Sequence, residues 1–293
     1  LHDAFGRANG VDSYRACGED FWENDLSRYL GPQFRGIRPD SFLSSDFAPS
    51  LPVVHLVGGA DALTPAEVPH TDKNVDFPRC LEEWIRRDGV YCFKVKLSGV
   101  DTDEDVERTG QVARVAGRVL EQQGRKTYHI TVDANEMCPS PAGVVEYLGK
   151  LREKYPGAYD ALLYLEQPTA RDLEQDRFDM REVAARKPVL ADEGITGPAD
   201  MELARELGWS GVALKTCKGH TSALLCLALA RRWGMDYSVQ DLTNPGISLA
   251  HSAGLAGRIS PILGVEANAR QFLADPAREL SGRHPGRFRI RNG

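Results

Sequence analysis

Short apolar runs recur along the chain, starting near Leu51, Tyr91, Tyr128, Asp160, Pro188, Gly211, Asp236 and Pro261. Runs such as Ile130-Thr131-Val132 and Ala161-Leu162-Leu163-Tyr164-Leu165 read as parallel strands buried on both faces. Between most of them the apolar positions take helical spacing. Residues 105–122 put Val112, Val115 and Val119 on one face, and residues 142–155 do the same with Val145, Leu148 and Leu151. Residues 221–233 are apolar almost all round, so that helix is predicted to pack on both sides. Eight strands alternating with helices predict an α/β fold, a closed TIM-like parallel barrel rather than a doubly wound sheet. No Gly-rich phosphate loop follows the first strand, which speaks against a dinucleotide-binding fold.

Residues 31–50, rich in Pro, Ser, Gly and Arg, read as a connector into the first strand. Residues 59–78 read as a long loop on the face where barrels keep their chemistry. No helix is evident after the eighth strand, and Arg287-Phe288-Arg289-Ile290-Arg291 alternates like an edge strand. The segment from Asp3 to Gly10 reads as the end of a helix with a glycine stop, and the chain opens on Leu1, as a fragment or processed form would. The expected organisation is a helix remnant and connector over 1–50, a catalytic barrel over 51–275, and a segment over 276–293 returning toward another domain.

Several of the buried runs end in charge. Phe93-Lys94-Val95-Lys96 closes the second strand, Asp133-Ala134-Asn135 the third and Glu166-Gln167-Pro168 the fourth. Asp192-Glu193 closes the fifth and Lys215 the sixth. A carboxylate at the end of a buried strand needs a partner, and three converging ones need a cation between them. Residues two apart on a strand share a face, so Lys94 with Lys96, and Asp133 with Asn135, are expected to point into the barrel together. Asp133, Glu166 and Asp192 are then candidate ligands of one ion, with Glu193 as the alternative third ligand. Hard oxygen donors favour Mg²⁺ or Mn²⁺ over Zn²⁺. Such an ion could chelate a substrate carboxylate and stabilise the enediolate left when the adjacent C–H loses its proton. Lys96 is the candidate base, its amine expected to be lowered by burial and by Lys94, which would contact the carboxylate. Lys215 stands across the cavity. Asn135, Gln240 and Asp241 are candidate substrate contacts, and Glu266 either polarises the substrate or anchors the barrel. Each carboxylate alone could instead cap the next helix, and the lysines could be their ion-pair partners in a metal-free barrel. His220 reads as a helix start and His55 as a core residue.

The bulk properties narrow the partners. A net charge of −6 argues against nucleic acid or an anionic membrane surface, and 42 % hydrophobic residues supply an ordinary core. No apolar stretch is long enough to span a bilayer, and no signal segment opens the chain. Six scattered cysteines without a C-x-x-C suggest a reduced, cytoplasmic protein.

Taken together, Lys94-x-Lys96, Asp133-x-Asn135, Glu166-Gln167-Pro168, Asp192-Glu193 and Lys215 resemble the enolase superfamily, in its mandelate racemase and muconate-lactonizing branch. The lead-in His2 to Gly10 and Gly264-Val265-Glu266-Ala267-Asn268 are similar too. The resemblance implies a (β/α)7β barrel, Mg²⁺, proton abstraction alpha to a carboxylate, and a capping domain largely absent from this chain. The stretch from Lys96 to Asp133 is long for the family, so a helical insertion is expected there. Lysine on the sixth strand resembles the muconate-lactonizing subgroup. The His–Asp dyad of mandelate-racemase-like members is not evident, and strand seven offers Ser238, Gln240 and Asp241 instead. The expected activity is that of an isomerase or lyase (racemase, epimerase, cycloisomerase or dehydratase) acting on a small carboxylate-bearing substrate, and a homo-oligomer is possible. The alternatives are an inactive or ligand-binding barrel and, further off, a Schiff-base aldolase using Lys215.

Overall fold

A computed structural model describes residues 1–69, 77–241, 243–244, 246–272 and 282. The sequence expectations for 276–293, including the alternating Arg287–Arg291 run, lie outside these residues apart from residue 282. Before the barrel come helices α1 (His2–Asn9) and α2 (Ser27–Leu30) and short 3-10 turns within the connector. The barrel begins with β1 (Val53–Val57), α3 (Leu81–Asp88), β2 (Cys92–Lys96), α4 (Thr102–Gln122) and β3 (His129–Asp133). Next come α5 (Pro141–Lys154), α6 (Pro156–Ala161), β4 (Leu162–Glu166), α7 (Arg181–Ala184), β5 (Val189–Ala191) and α8 (Asp200–Glu206). It ends with β6 (Gly211–Lys215), α9 (His220–Trp233), β7 (Asp236–Gln240), α10 (Ile247–Ala256), β8 (Val265–Glu266) and α11 (Ala269–Phe272). All eight strands pair in parallel and in order, and β1 closes on β8.

Alternation along the strands divides apolar from polar. On β2 to β4, Phe93, Val95, Ile130, Val132 and Leu165 join the hydrophobic core under the helices, while Lys94, Thr131, Asp133, Tyr164 and Glu166 take the opposite face. Register aligns Lys96 with Asp133 and Asp133 with Glu166, so charged side chains stand side by side at one level of the mouth. The barrel interior is therefore polar near its C-terminal end, an arrangement that only paired charges make tolerable.

Helix positions follow local signals. Asp101 caps α4, its carboxylate accepting the Glu104 amide at 2.9 Å. Asp105, in the first turn, reaches back to accept Ser98 N and Gly99 N, which pins the loop that follows Lys96. Most of the long stretch between Lys96 and Asp133 is a single 21-residue helix, α4. Gly110 lets α4 approach α5 and α6, since a Cβ there would lie 2.4 Å from the Tyr155 ring. The 1–50 segment packs on the α9–α10 side through Tyr14 Oη donating to the His251 carbonyl at 3.2 Å and His2 against Thr221 at 2.8 Å.

Three expectations about element bounds need correction. Asp160 and Ala161 end a helix rather than open β4. The last strand starts at Val265, not Pro261, and holds two residues. A four-residue helix, α11, does follow it. Among the described residues no helix is long and apolar enough to cross a membrane.

Candidate active site at the barrel mouth

Parallel strands put all their C-terminal ends on one rim, and the predicted site residues gather there. Lys94, on β2, is 3 % exposed, and its Nζ lies 2.7 Å from Glu166 Oε1, 2.9 Å from Glu266 Oε2 and 3.0 Å from Asp133 Oδ2. One ammonium thus holds carboxylates from β3, β4 and β8. Lys96 lies nearer solvent and donates to Asp133 Oδ2 and, at 2.6 Å, to Asn135 Oδ1. Asn135 in turn donates to Glu193 Oε1 at 3.2 Å. Across the barrel Lys215 donates to Asp192 Oδ2. Gln240 donates to Glu166 Oε2, and Asn268 donates to Glu266 Oε1 at 2.9 Å.

The strand-alternation rule places Lys94, Lys96 and Asp133 correctly but fails beyond Asp133. There β3 has ended, and Asn135 and Glu136 have φ of 44° and 72°. Asn135 reaches the site through a left-handed turn rather than along a strand. Asp241, expected as a substrate contact, is fully buried and accepts Thr243 N at 2.8 Å and Ala269 N at 3.0 Å. It organises the turn after β7. His55 is a core residue as expected, with Arg270 and Gln271 on its two ring nitrogens.

Two contributors were not anticipated. Lys218 donates to the Asp192 carbonyl at 2.7 Å, to Asp192 Oδ1 at 3.2 Å and to the Ile195 carbonyl at 3.0 Å. Gln167 accepts the Asp192 amide at 2.8 Å and the Gly194 amide at 3.1 Å. The sequence signal for Lys218 is its position three residues after Lys215, one turn past the strand end. Gln167 lies between Glu166 and Pro168, where only the backbone turn reveals its reach.

Carboxylate neighbours raise the two buried lysines. Burial pulls the Lys94 ammonium down, but Glu166, Glu266 and Asp133 together outweigh it and hold it well above the ordinary lysine range. Burial likewise lowers Lys215, and Asp192 and Glu166 more than offset that, so it too is raised. Asp133 is favoured by burial to go up, yet Lys94 and Lys96 bring it down to about 2. Glu166 goes the other way: burial and the neighbouring carboxylates of Asp133, Asp192 and Glu266 push it well up against the pull of Lys94. Burial and Asp192 also raise Glu193.

The carboxylates of Asp133, Glu166, Asp192, Glu193 and Glu266 crowd the mouth with Lys94, Lys96, Lys215 and Lys218, and Arg171 adds its charge near Asp192 and Glu193. Glu193 Oε2 and Gln240 Oε1 are buried acceptors with no donor among the described residues. A donor set of carboxylate oxygens together with orphaned buried acceptors fits a hard divalent cation such as Mg²⁺. Among the described residues no three acidic, His or Cys side chains already form a cage for an ion. Asp133 and Glu166 meet at Lys94, whereas Asp192 is engaged by Lys215 and Lys218. A cation would share these carboxylates with the lysines that now hold them.

Solved structures of similar fold include epimerases and cycloisomerases. The chain superposes on the L-Ala-D/L-Glu epimerase of Bacillus subtilis with a TM-score of 0.62 at 17 % identity, covering 91 % of this chain and 60 % of that one. A 2-chloromuconate cycloisomerase from Rhodococcus opacus gives 0.55 at 21 % identity, covering 74 % and 53 %. A dipeptide epimerase from Cytophaga hutchinsonii, solved with Mg and D-Ala-L-Val, gives 0.55 at 18 % identity, covering 79 % and 57 %. The chain thus spans between 53 % and 60 % of the length of these neighbours. No curated protein matches the sequence. The family model described as enolase C-terminal domain-like matches residues 76–293, and the chain belongs to that family, the barrel of the mandelate racemase and muconate-lactonizing branch of the enolase superfamily.

Proposed function

We propose that this barrel serves an isomerase or lyase that removes a proton alpha to a carboxylate, in racemisation, epimerisation, cycloisomerisation or dehydration. One observation carries the reading: buried Asp133 and Glu166 end β3 and β4 and buried Asp192 directly follows β5, with Lys94 and Lys96 on one side and Lys215 on the other. The family and the epimerases and cycloisomerases of similar fold support it. Asp133, Glu166 and Asp192 would hold Mg²⁺, with Glu193 as the alternative to Asp192. When bound, the cation would act as a Lewis acid that favours negative charge on the substrate carboxylate.

The chain's own groups then divide the work. Lys96 has a side chain 27 % exposed and is the amine open to a substrate, so it takes the proton once it has given its own to solvent and its bond to Asp133 is released. Lys215, whose side chain is 6 % exposed, approaches from the opposite strand and returns a proton or, as a cation, steadies charge. Lys94 stays a fixed positive charge under the substrate, anchored by Glu266, which acts here through Lys94. Asn135 links the base to Glu193, and Gln240 orients Glu166. The ion pair with Asp192 keeps Lys215 charged, which disfavours the Schiff-base alternative.

The test is alpha-deuterium incorporation from D₂O into a panel of N-acylated amino acids, dipeptides, hydroxy acids and acid sugars, with and without Mg²⁺. Exchange should require Mg²⁺, vanish in Asp133→Asn, and fall by roughly 10²- to 10⁴-fold in Lys96→Ala. Exchange in Asp133→Asn without added cation would reject the metal assignment, and silence across the whole panel would favour an inactive barrel.

A further inference from the structure

Gln167 has no direct part in the proposed chemistry, yet it ties together the ends of β3, β4 and β5. Its side chain is fully buried. Its backbone amide donates to the Leu190 carbonyl of β5 at 2.9 Å, and its carbonyl accepts the Glu136 amide, just past β3, at 2.8 Å. Its side-chain oxygen accepts the amides of Asp192 and Gly194, and its side-chain nitrogen donates to the Thr169 carbonyl at 3.0 Å. The segments carrying Asp133, Glu166 and Asp192 are therefore tied together through one residue.

The anchoring matters most for β5. This strand has three residues, and its pairing with β4 ends at Glu166 opposite Leu190. Beyond that point the β4–β5 ladder has nothing to offer the Asp192 and Gly194 amides, and the Gln167 amide oxygen takes both. The residue holds a left-handed backbone, φ 29°, followed by Pro168. Such a conformation in a non-glycine residue persists only where surrounding bonds over-determine it, and here they do so between two carboxylate-bearing strands.

We infer that Gln167 is a positioning residue that sets the separation of Glu166 and Asp192, and through it the preference of the mouth for a small, geometrically strict cation over a larger one. The inference rests on the proposed cation reading. Mg²⁺ demands near-ideal octahedral geometry, whereas Ca²⁺ accepts irregular shells, so loosening β5 against β4 should penalise Mg²⁺ more.

Calorimetric titration of Mg²⁺ and Ca²⁺ into the metal-free protein tests this, with urea unfolding alongside. Gln167→Met should bind Mg²⁺ roughly tenfold or more weakly, the scale of groups that orient metal ligands, and lose less Ca²⁺ affinity. Gln167→Glu, which keeps an acceptor toward both amides, should recover part of the Mg²⁺ affinity and decides the matter if Gln167→Met does not fold. An unchanged Mg²⁺ to Ca²⁺ ratio in folded variants overturns the inference, since a merely structural role would lower stability and leave that ratio alone. A wild-type protein that binds neither ion overturns the cation reading itself, and the positioning role with it.

Discussion

Lys94 shows how one side chain can decide whether the interior is tolerable. Three carboxylates lie within 3.0 Å of its Nζ, and none of the four groups is more than 5 % exposed in its side chain. Replacing a buried ion pair with apolar groups can be neutral, but removing one partner leaves charge stranded and costs about 3–5 kcal/mol. Lys94→Met should therefore lose about that much by urea unfolding near pH 8, although methionine matches the stem in length. The stranded carboxylates would then bind protons more tightly folded than unfolded, so the variant should gain on wild type as pH falls. A gap between the two proteins as large at pH 5 as at pH 8 would show that lost packing, not stranded charge, is the cause.

Between elements, two contacts set opposing terms against each other. Alanine at position 110 would gain about 1 kcal/mol of helix propensity in the middle of α4. It would also drive a methyl group into the Tyr155 ring, which is held by its hydroxyl on Glu107 at 2.7 Å. Overpacking costs about 1–3 kcal/mol, so Gly110→Ala should be destabilising on balance, and the penalty should disappear in a Tyr155→Ala background. A double-mutant cycle by urea unfolding checks the coupling. Where α9 meets α1 and α10, His220 lies 4.6 Å, ring to ring, from His2, and its Nδ1 is 3.5 Å from that of His251. Burial first, then the charges of His2 and His251, bring His220 down to about 4 from the ordinary 6.5. The unfolded chain then binds the proton more readily, so this contribution is present above pH 6.5 and drains away as pH falls toward about 4. Its full size is on the order of 3 kcal/mol. Melting temperatures measured from pH 7 to pH 4.5 should fall less steeply in His220→Gln, and parallel curves would refute the assignment.

At the scale of the molecule, the barrel was readable because buried parallel strands are unbroken apolar runs, and the site because charge at the end of such a run stands out. β8 was misplaced since two residues are too few to make a pattern. The lysine–carboxylate pairing depends on register between strands, and Gln167 and Lys218 act past the strand ends, where no periodicity survives. The same shortness divides the barrel mechanically. β2 pairs with β3, and β6 with β7, over five residues each, while β5 has two registered pairs on either side and β7 meets β8 at one. Two well-laddered arcs are thus joined through β5 and β8. Local opening follows the density of such bonds, so amides of β5 and β8 should exchange with solvent roughly tenfold or more faster than those of β2 and β3. Mg²⁺ held by Asp192 would tie β5 to its neighbours and slow its exchange while leaving the lower part of β8 unchanged. Exchange in β5 as slow as in β3 without Mg²⁺ would sink the two-arc account, and a slowing shared equally by every strand would mean that the ion acts on global stability rather than on the strand that carries Asp192.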